Sequence, residues 1–355
     1  MRNMPPLATG GERTRRVCLI KPSALGDIVQ SLPVLAALRA RWPDAHLAWV
    51  VSRPLAGLLA THPDLDEVIV FDRRARGIGR LQAPWTLWRQ LRGGRFDLAI
   101  DLQGLLRSGL MTRATGAARR VGFADAREGA AWAYTDRVPI PREPHSAVLR
   151  YWRLAQAVGC EGSPPAPRLG IGERERQFAA TALAGLARPI LAVHPGAAWP
   201  TKRWPLASFA ALARRAQAER GASIVLLAGP GEGELARAIA AQLDQATNLA
   251  EQTNLLELAA VLAASDVFVG GDTGPMHLAA AVGTRVVALF TCTDPRRAGP
   301  YGAGHRVVAT TVDCRESYLK RCNWLGCMHE LTPTRVWPAL RAALEEAVSD
   351  PRCAA

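Results

Sequence analysis

Twice along this chain, short apolar runs alternate with longer stretches of helical period, and the alternation breaks off and restarts at one Pro/Gly-rich join. In the first half the short runs are Val17–Lys21, His46–Val51, Glu67–Phe71, Leu98–Leu102 and Arg120–Phe123. In the second they are Ile190–Val193, Ser223–Ala228, Val267–Val269 and Val286–Phe290. Between the first two runs Ile28, Leu32, Leu35 and Leu38 recur at helical spacing within Ile28–Trp42, so a helix is predicted there. Pro33 is expected in its first turns or at a kink. Strand–helix alternation of this kind builds a mostly parallel sheet with helices on both faces. The join, Cys160–Gly172 (CEGSPPAPRLGIG), has the composition of a linker. The fold class is therefore α/β, with two doubly wound, Rossmann-like domains facing a central cleft, where ligands bind at the C-terminal ends of the strands.

The boundaries follow from the same pattern. Residues 1–15 are expected to form a disordered leader, 16–165 the first domain, 166–186 the linker, 187–335 the second domain and 336–355 a C-terminal helix and tail. A chain of 355 residues exceeds what one core ordinarily supports, which agrees with two domains. The leader lacks the apolar segment of a signal peptide, and no apolar run reaches the ~18 residues of a membrane-spanning helix. Seven cysteines, an odd number in a long chain, read as reduced thiols of a cytoplasmic protein rather than a disulfide framework. The formal charge of +13 favours an anionic partner, with a solvated basic surface as the plain alternative.

Four stretches carry chemistry. KPSALGD (Lys21–Asp27) ends the first strand and runs into a helix, so backbone N–H groups and a helix N-terminus face any ligand there. Asp27 is placed either to accept a proton from an incoming hydroxyl or simply to cap the helix. HPGAAWPTKRWP (His194–Pro205) puts Lys202 and Arg203 after a strand and a small-residue turn, which suits a diphosphate clamp or an ordinary basic loop. In LLAGPGEGE (Leu226–Glu234), Glu232 follows a strand and a Gly-rich turn, the position from which acidic residues bind ribose hydroxyls. In VFVGGDTGPMHLAAA (Val267–Ala281), glycines allow close backbone approach. Asp272, Thr273 and Gly274 open an apolar helix whose N-terminus favours phosphate. His277 one turn on is either a site residue or a satisfied helix histidine.

Taken with DLQGLLRSG (Asp101–Gly109) and TDPRRAGPYG (Thr293–Gly302), these stretches in this order and spacing resemble the bacterial ADP-heptose:lipopolysaccharide heptosyltransferases, glycosyltransferase family 9, from about Arg16 to the C-terminus. The resemblance implies a GT-B fold and an inverting, single-displacement transfer from ADP-heptose to the inner core of lipopolysaccharide. Asp27 is then the general base. It implies donor binding by Lys202, Glu232, Asp272, Thr273, Gly274, His277 and Ala197, and acceptor binding by Ser23, Gln103, Arg73, Arg76, Arg80 and Arg107. No metal and no cofactor are implied. The partners are a nucleotide sugar and an anionic glycolipid, and the enzyme is expected at the inner face of the cytoplasmic membrane as a peripheral protein.

Three features remain open at this level. Arg73–Arg95 is dense in arginine, with Trp85 and Trp88 at helical spacing. That suits contact with an anionic saccharide or a lipid surface, or else a solvated helix with its tryptophans in the core. Cys314, Cys322, Cys327 and His329 fall within one short segment, but their spacing fits no standard structural zinc site. This segment resembles second-heptose enzymes, whereas Val121–Val138, followed by His145, resembles first-heptose enzymes. A related nucleotide-sugar transferase for another envelope glycan is the neighbouring reading. A nucleic-acid-binding protein is the alternative from another class, and no recognition motif supports it.

Overall fold

Strands that are buried on both faces need near-continuous apolar sequence, and the central strands of this protein have it. In the computed structural model, residues 15–72, 78–141 and 146–349 are described, the side chains of 78–81 excepted. The chain divides into two units, 1–170 and 171–355. The first contains a six-stranded, wholly parallel sheet of order β3-β2-β1-β4-β5-β6. Its strands are β1 Arg16–Ile20, β2 His46–Ser52, β3 Glu67–Phe71, β4 Leu98–Asp101, β5 Arg119–Phe123 and β6 Asp136–Val138. The second repeats the plan with β7 Ile190–His194, β8 Ser223–Leu226, β9 Thr247–Asn248, β10 Val267–Gly271, β11 Arg285–Phe290 and β12 Arg306–Ala309. Its sheet is again six-stranded and parallel, in the order β12-β11-β10-β7-β8-β9.

In both sheets the chain starts in the middle, winds to one edge, and returns to wind to the other. The reversal opens a crevice between β1 and β4 in one unit and between β7 and β10 in the other, at the carboxyl ends of those strands. Ligands of open α/β sheets bind there. On one face of the first sheet Cys18, Ile20, Ala48, Val50 and Ala99 pack with Leu87, Leu91 and Phe96. In the second unit Leu191, Val193, Val267 and Val269 pack with Trp204, Phe209 and the C-terminal helix residues Val336, Trp337 and Leu340.

Several details differ from the sequence expectation. The first helix begins at Leu25 and continues to Arg41, through a buried Pro33. Within the stretch expected as linker, Glu173–Ala182 is a helix that packs on the helix Leu255–Ala264 of the second unit. The C-terminal helix is Pro333–Val348. The leader, apart from Arg15, and His145 lie outside the described residues. Among the described residues no helix is long and apolar enough to cross a membrane.

Candidate active site

At the end of β1 the chain turns through Pro22 to Ala24 and enters the helix Leu25–Arg41. Ala24, not Asp27, occupies the N-cap, and Asp27 sits at N3. Its Oδ2 accepts from the Ala24 N–H at 3.1 Å, so the carboxylate satisfies an orphan donor from inside the first turn. Its Oδ1 accepts from the Tyr151 hydroxyl at 2.7 Å and lies 3.8 Å from Lys21 Nζ. The Asp27 side chain is 39% exposed while that of Lys21 is almost fully buried. A carboxylate is thus held from behind, with one side open to solvent.

Burial pulls the Lys21 ammonium below its ordinary pKa, opposed by the charges of Asp27 and Asp101. Lys21 Nζ also donates to the Leu102 carbonyl at 3.2 Å and sits 4.7 Å over the Tyr151 ring. Burial first, and the Asp27 charge second, push the Tyr151 hydroxyl well above its usual value, so it remains a donor. The adjoining loop after β4 is built on Asp101, which accepts from the N–H groups of Gln103 and Gly104 and from the Tyr134 hydroxyl at 2.7 Å. Burial raises the Asp101 pKa. Gly104 has φ +70°, a left-handed conformation that favours glycine. Ser23 is exposed, and Gln103 Oε1 is buried without a hydrogen-bond partner among the described residues.

In the second unit, Lys202 and Asp272 meet across the β7–β10 crevice. Lys202 Nζ donates to Asp272 Oδ2 at 2.5 Å, and Thr293 Oγ1 donates to the same oxygen at 2.8 Å. His277 Nε2 stands 3.9 Å from Asp272 Oδ1. Both charged side chains are largely buried, and the ammonium also lies 4.4 Å over the Trp199 ring. Thr273 is the N-cap of the helix Gly274–Ala281, and its buried hydroxyl has no partner among the described residues. Glu232 packs its carboxylate so closely on Gly196 that a Cβ there would fall 2.1 Å from Oε2. Its Oε2 is 4.0 Å from His194 Nε2. Burial lowers the His194 pKa, against the pull of Glu232. Ala197 is buried, and its carbonyl accepts from Arg203 Nε.

Comparison with known proteins decides the family. The family model described as glycosyltransferase family 9 (heptosyltransferase) matches residues 84–327. The chain belongs to this family.

It is accordingly a glycosyltransferase. It is 32% identical to lipopolysaccharide heptosyltransferase 1 of Pseudomonas aeruginosa, over 93% of this chain and 98% of that protein. The E. coli ADP-heptose lipopolysaccharide heptosyltransferase II superposes with a TM-score of 0.76 at 26% identity, covering 93% of this chain and 99% of that one. The E. coli heptosyltransferase WaaC, solved with ADP, superposes with a TM-score of 0.74 at 25% identity, covering 94% and 99%. The two α/β units match those of these GT-B heptosyltransferases, the fold class that the sequence motifs imply.

Within this glycosyltransferase the sequence expectations fall unevenly. Lys202, Glu232, Asp272, Thr273, Gly274, His277 and Ala197 all lie on β7, β8 or β10 loops or the helix after β10. Asp27, Ser23 and Gln103 lie on the loops and helix start after β1 and β4. Arg73 and Arg76 lie outside the described residues, and Arg80 is in the helix Ile78–Gly93, its side chain not described. Arg107 is exposed and lies over the Phe71 ring. Among the described residues, the cations whose charge reaches Lys21 are Arg127 and Arg150. Arg150 is held by a two-point pair with Asp125.

Sequence reading assigned no role to Tyr151, Thr293, Arg127 or Arg150. Thr293 opens a quoted motif, which was signal enough to single it out. Nothing in the local sequence marks Tyr151. Trp85 and Trp88 are exposed, which removes the core alternative for them. Among the described residues no group of three or more His, Cys, Asp or Glu side chains is placed to hold a metal ion.

Proposed function

We propose that this glycosyltransferase moves heptose from ADP-heptose to the inner core of lipopolysaccharide, with inversion at the anomeric carbon and Asp27 as general base. The observation that carries the reading is the Asp27 carboxylate, half open to solvent and fixed by Tyr151 and the Ala24 N–H. A base must be both reachable and held at one geometry. As the acceptor hydroxyl oxygen bonds to the anomeric carbon, its proton passes to Asp27. The bond from that carbon to the diphosphate oxygen breaks, and ADP leaves with the electron pair.

Negative charge then grows on the leaving diphosphate, and preorganised cations and N–H groups absorb it. Lys202 and the N-terminus of Gly274–Ala281, with the buried Thr273 hydroxyl, are suited to that task. Asp272 and His277 are suited to sugar hydroxyls, and Glu232 beside Gly196 to the ribose. Gln103, Ser23, Arg107, Arg127 and Arg150 would hold the anionic acceptor. The solved ADP complex of the E. coli relative supports the adenosine donor. The lipopolysaccharide acceptor is supported by what the P. aeruginosa relative is named for.

Calorimetric titration with ADP, UDP, GDP and ADP-heptose, with and without EDTA, tests the donor. Preferential binding of ADP-heptose, indifferent to EDTA, is the expected result. Preference for another nucleotide would overturn the heptose assignment.

A further inference from the structure

In the second unit, the Trp199 ring carries a second lysine besides Lys202. Lys202 Nζ lies 4.4 Å from the ring centroid, and Lys320 Nζ lies 5.3 Å from the same point. Lys202 belongs to the loop after β7, whereas Lys320 comes from the cysteine-bearing segment that follows β12. Two ammonium groups set against one indole are less than about 10 Å apart, close enough to repel each other at physiological salt.

The fold fixes the backbone that delivers Lys320. Thr201 is buried and donates from Oγ1 to the Leu319 carbonyl at 2.7 Å, across 118 residues of sequence. The Thr201 carbonyl accepts from Thr291 Oγ1 at 2.6 Å, and the Tyr318 N–H donates to the Cys292 carbonyl at 2.8 Å. The two residues before Lys320 are thereby fastened to the turn Pro200–Lys202 and to the chain leaving β11. That turn sits in its own right on the end of β10, where a Cβ on Gly271 would fall 2.8 Å from the Lys202 carbonyl. Segment, turn and strand end pack as one body, and the Lys320 side chain stays exposed.

The charges around the ring do not balance. Lys202 is answered by Asp272. Lys320 has no ion-pair partner among the described residues, and Asp294 and Glu316 nearby are both held by Arg296. Contact with an indole face stabilises an exposed ammonium only modestly, so the ring alone gives no reason to crowd two cations. An anion shared between them does. A nucleoside diphosphate carries more than one negative charge and gains another as the sugar leaves, which an already paired Lys202 cannot absorb alone. A lysine is a mobile point charge, able to follow a diphosphate whose charge is growing.

We propose that Lys320 is a second donor-binding cation, which holds the diphosphate of the nucleotide sugar together with Lys202 and makes the site selective for diphosphates. The inference rests on the reading of a nucleotide-sugar donor in the β7–β10 crevice. It gives the segment after β12 a part in donor binding, carried by Lys320 and anchored through Thr201.

The test is calorimetric titration of the full chain with ADP, adenosine and inorganic pyrophosphate, in the wild type, K320A, K320R and T201V. K320A should bind ADP and pyrophosphate about tenfold more weakly, as loss of a charged hydrogen-bonding partner entails, and adenosine as the wild type does. K320R should recover most of the loss. T201V releases the Leu319 anchor and should also weaken ADP binding, with little further loss when it is combined with K320A. Because the Lys320 side chain is exposed, K320A should melt with the wild type. ADP binding by K320A within twofold of wild type would overturn the proposal. An equal loss for adenosine would also overturn it, by making Lys320 a support for Trp199 and not a phosphate ligand. Preference of the wild type for another nucleoside diphosphate, with K320A still weaker for that nucleotide and for pyrophosphate, would overturn the ADP-heptose reading alone. Absence of binding to every nucleotide and to pyrophosphate would overturn both.

Discussion

The Tyr151 hydroxyl donates a 2.7 Å hydrogen bond to Asp27 Oδ1 across 124 residues of sequence. This bond joins the helix Ala147–Ala157 to the first turn of Leu25–Arg41, two helices that pack on each other. It holds a solvent-reachable carboxylate in one orientation, with Lys21 behind. Buried Tyr151 stays protonated through the working pH range.

Tyr151→Phe should therefore lower turnover about tenfold, since a hydrogen bond to a charged group is worth about 1.5–3 kcal/mol. The affinity for ADP-heptose should stay as it was, because the residues proposed to bind the donor are in the other unit. Steady-state turnover and a donor titration on the same preparation check this. A turnover within twofold of wild type would mean that the bond positions nothing used in the reaction.

Substitution can separate the capping contact of Asp27 from its proposed role as base. Asp27→Ala removes both the proposed base and the acceptor for the Ala24 N–H, so it should cost about 1 kcal/mol of stability, as lost caps do, besides its effect on rate. Asp27→Asn keeps an oxygen for the cap but has no basicity. It should melt close to wild type while losing about 10²-fold or more of its turnover. If the asparagine variant retained most activity, capping would be the whole role of this residue.

The sequence made most of the architecture readable because buried parallel strands write themselves as apolar runs. The strands it did not reveal are β6, β9 and β12, and each of them is an edge. An edge strand is covered less and paired on one side, so Asp136–Val138 and Thr247–Asn248 need no apolar run and show none. The site divided in the same way. Asp27, Lys202 and Asp272, on the segments that leave β1, β7 and β10, could be picked out as candidates from local pattern. Their partners Tyr151 and Thr293 come from distant segments, and no local pattern encodes a contact of that range. The arginines whose charge reaches Lys21 among the described residues were missed for a related reason. Density along the chain drew attention to Arg73–Arg95, whereas Arg127 and Arg150 stand alone in sequence and converge only in the fold.

Lys202, Thr293 and Asp272 form one unit, since the ammonium and the hydroxyl share Asp272 Oδ2. Lys202→Ala should weaken ADP binding about tenfold or more, by loss of a charge-assisted contact. It should also lower the melting temperature, because a largely buried carboxylate is left without its cation. Thr293→Val should weaken donor binding less. In a double-mutant cycle Lys202→Ala and Asp272→Ala should fall short of additivity, as residues of one network do. Strict additivity in calorimetric titrations would show that the pair does not act together on the donor.

His62 gives the stability of the first unit a pH dependence of known sign. Its Nε2 faces the Arg168 carbonyl at 3.0 Å, and its Nδ1 accepts from the Asp64 N–H at 3.2 Å. The ring is therefore neutral with the proton on Nε2, and a second proton would displace the Asp64 donor. Burial lowers its pKa from the ordinary 6.5, outweighing the Arg168 carbonyl and the Asp64 charge, which raise it. Below 6.5 the unfolded chain takes up a proton that the folded one refuses. Unfolding then binds protons, and stability is lost as pH falls through 6.5 toward the lower folded value. Above 6.5 both states are neutral and the contribution is constant. Urea unfolding at a series of pH values from about 7.5 down to 5.5, on either side of that reference value, should show this decline in the wild type. His194 and His305 share the direction of shift, so the comparison needed is with His62→Gln, which keeps a donor toward Arg168 and cannot titrate. The variant should have a flatter profile than wild type across the same interval. Identical slopes in the two proteins would mean that His62 takes up its proton as readily folded as unfolded.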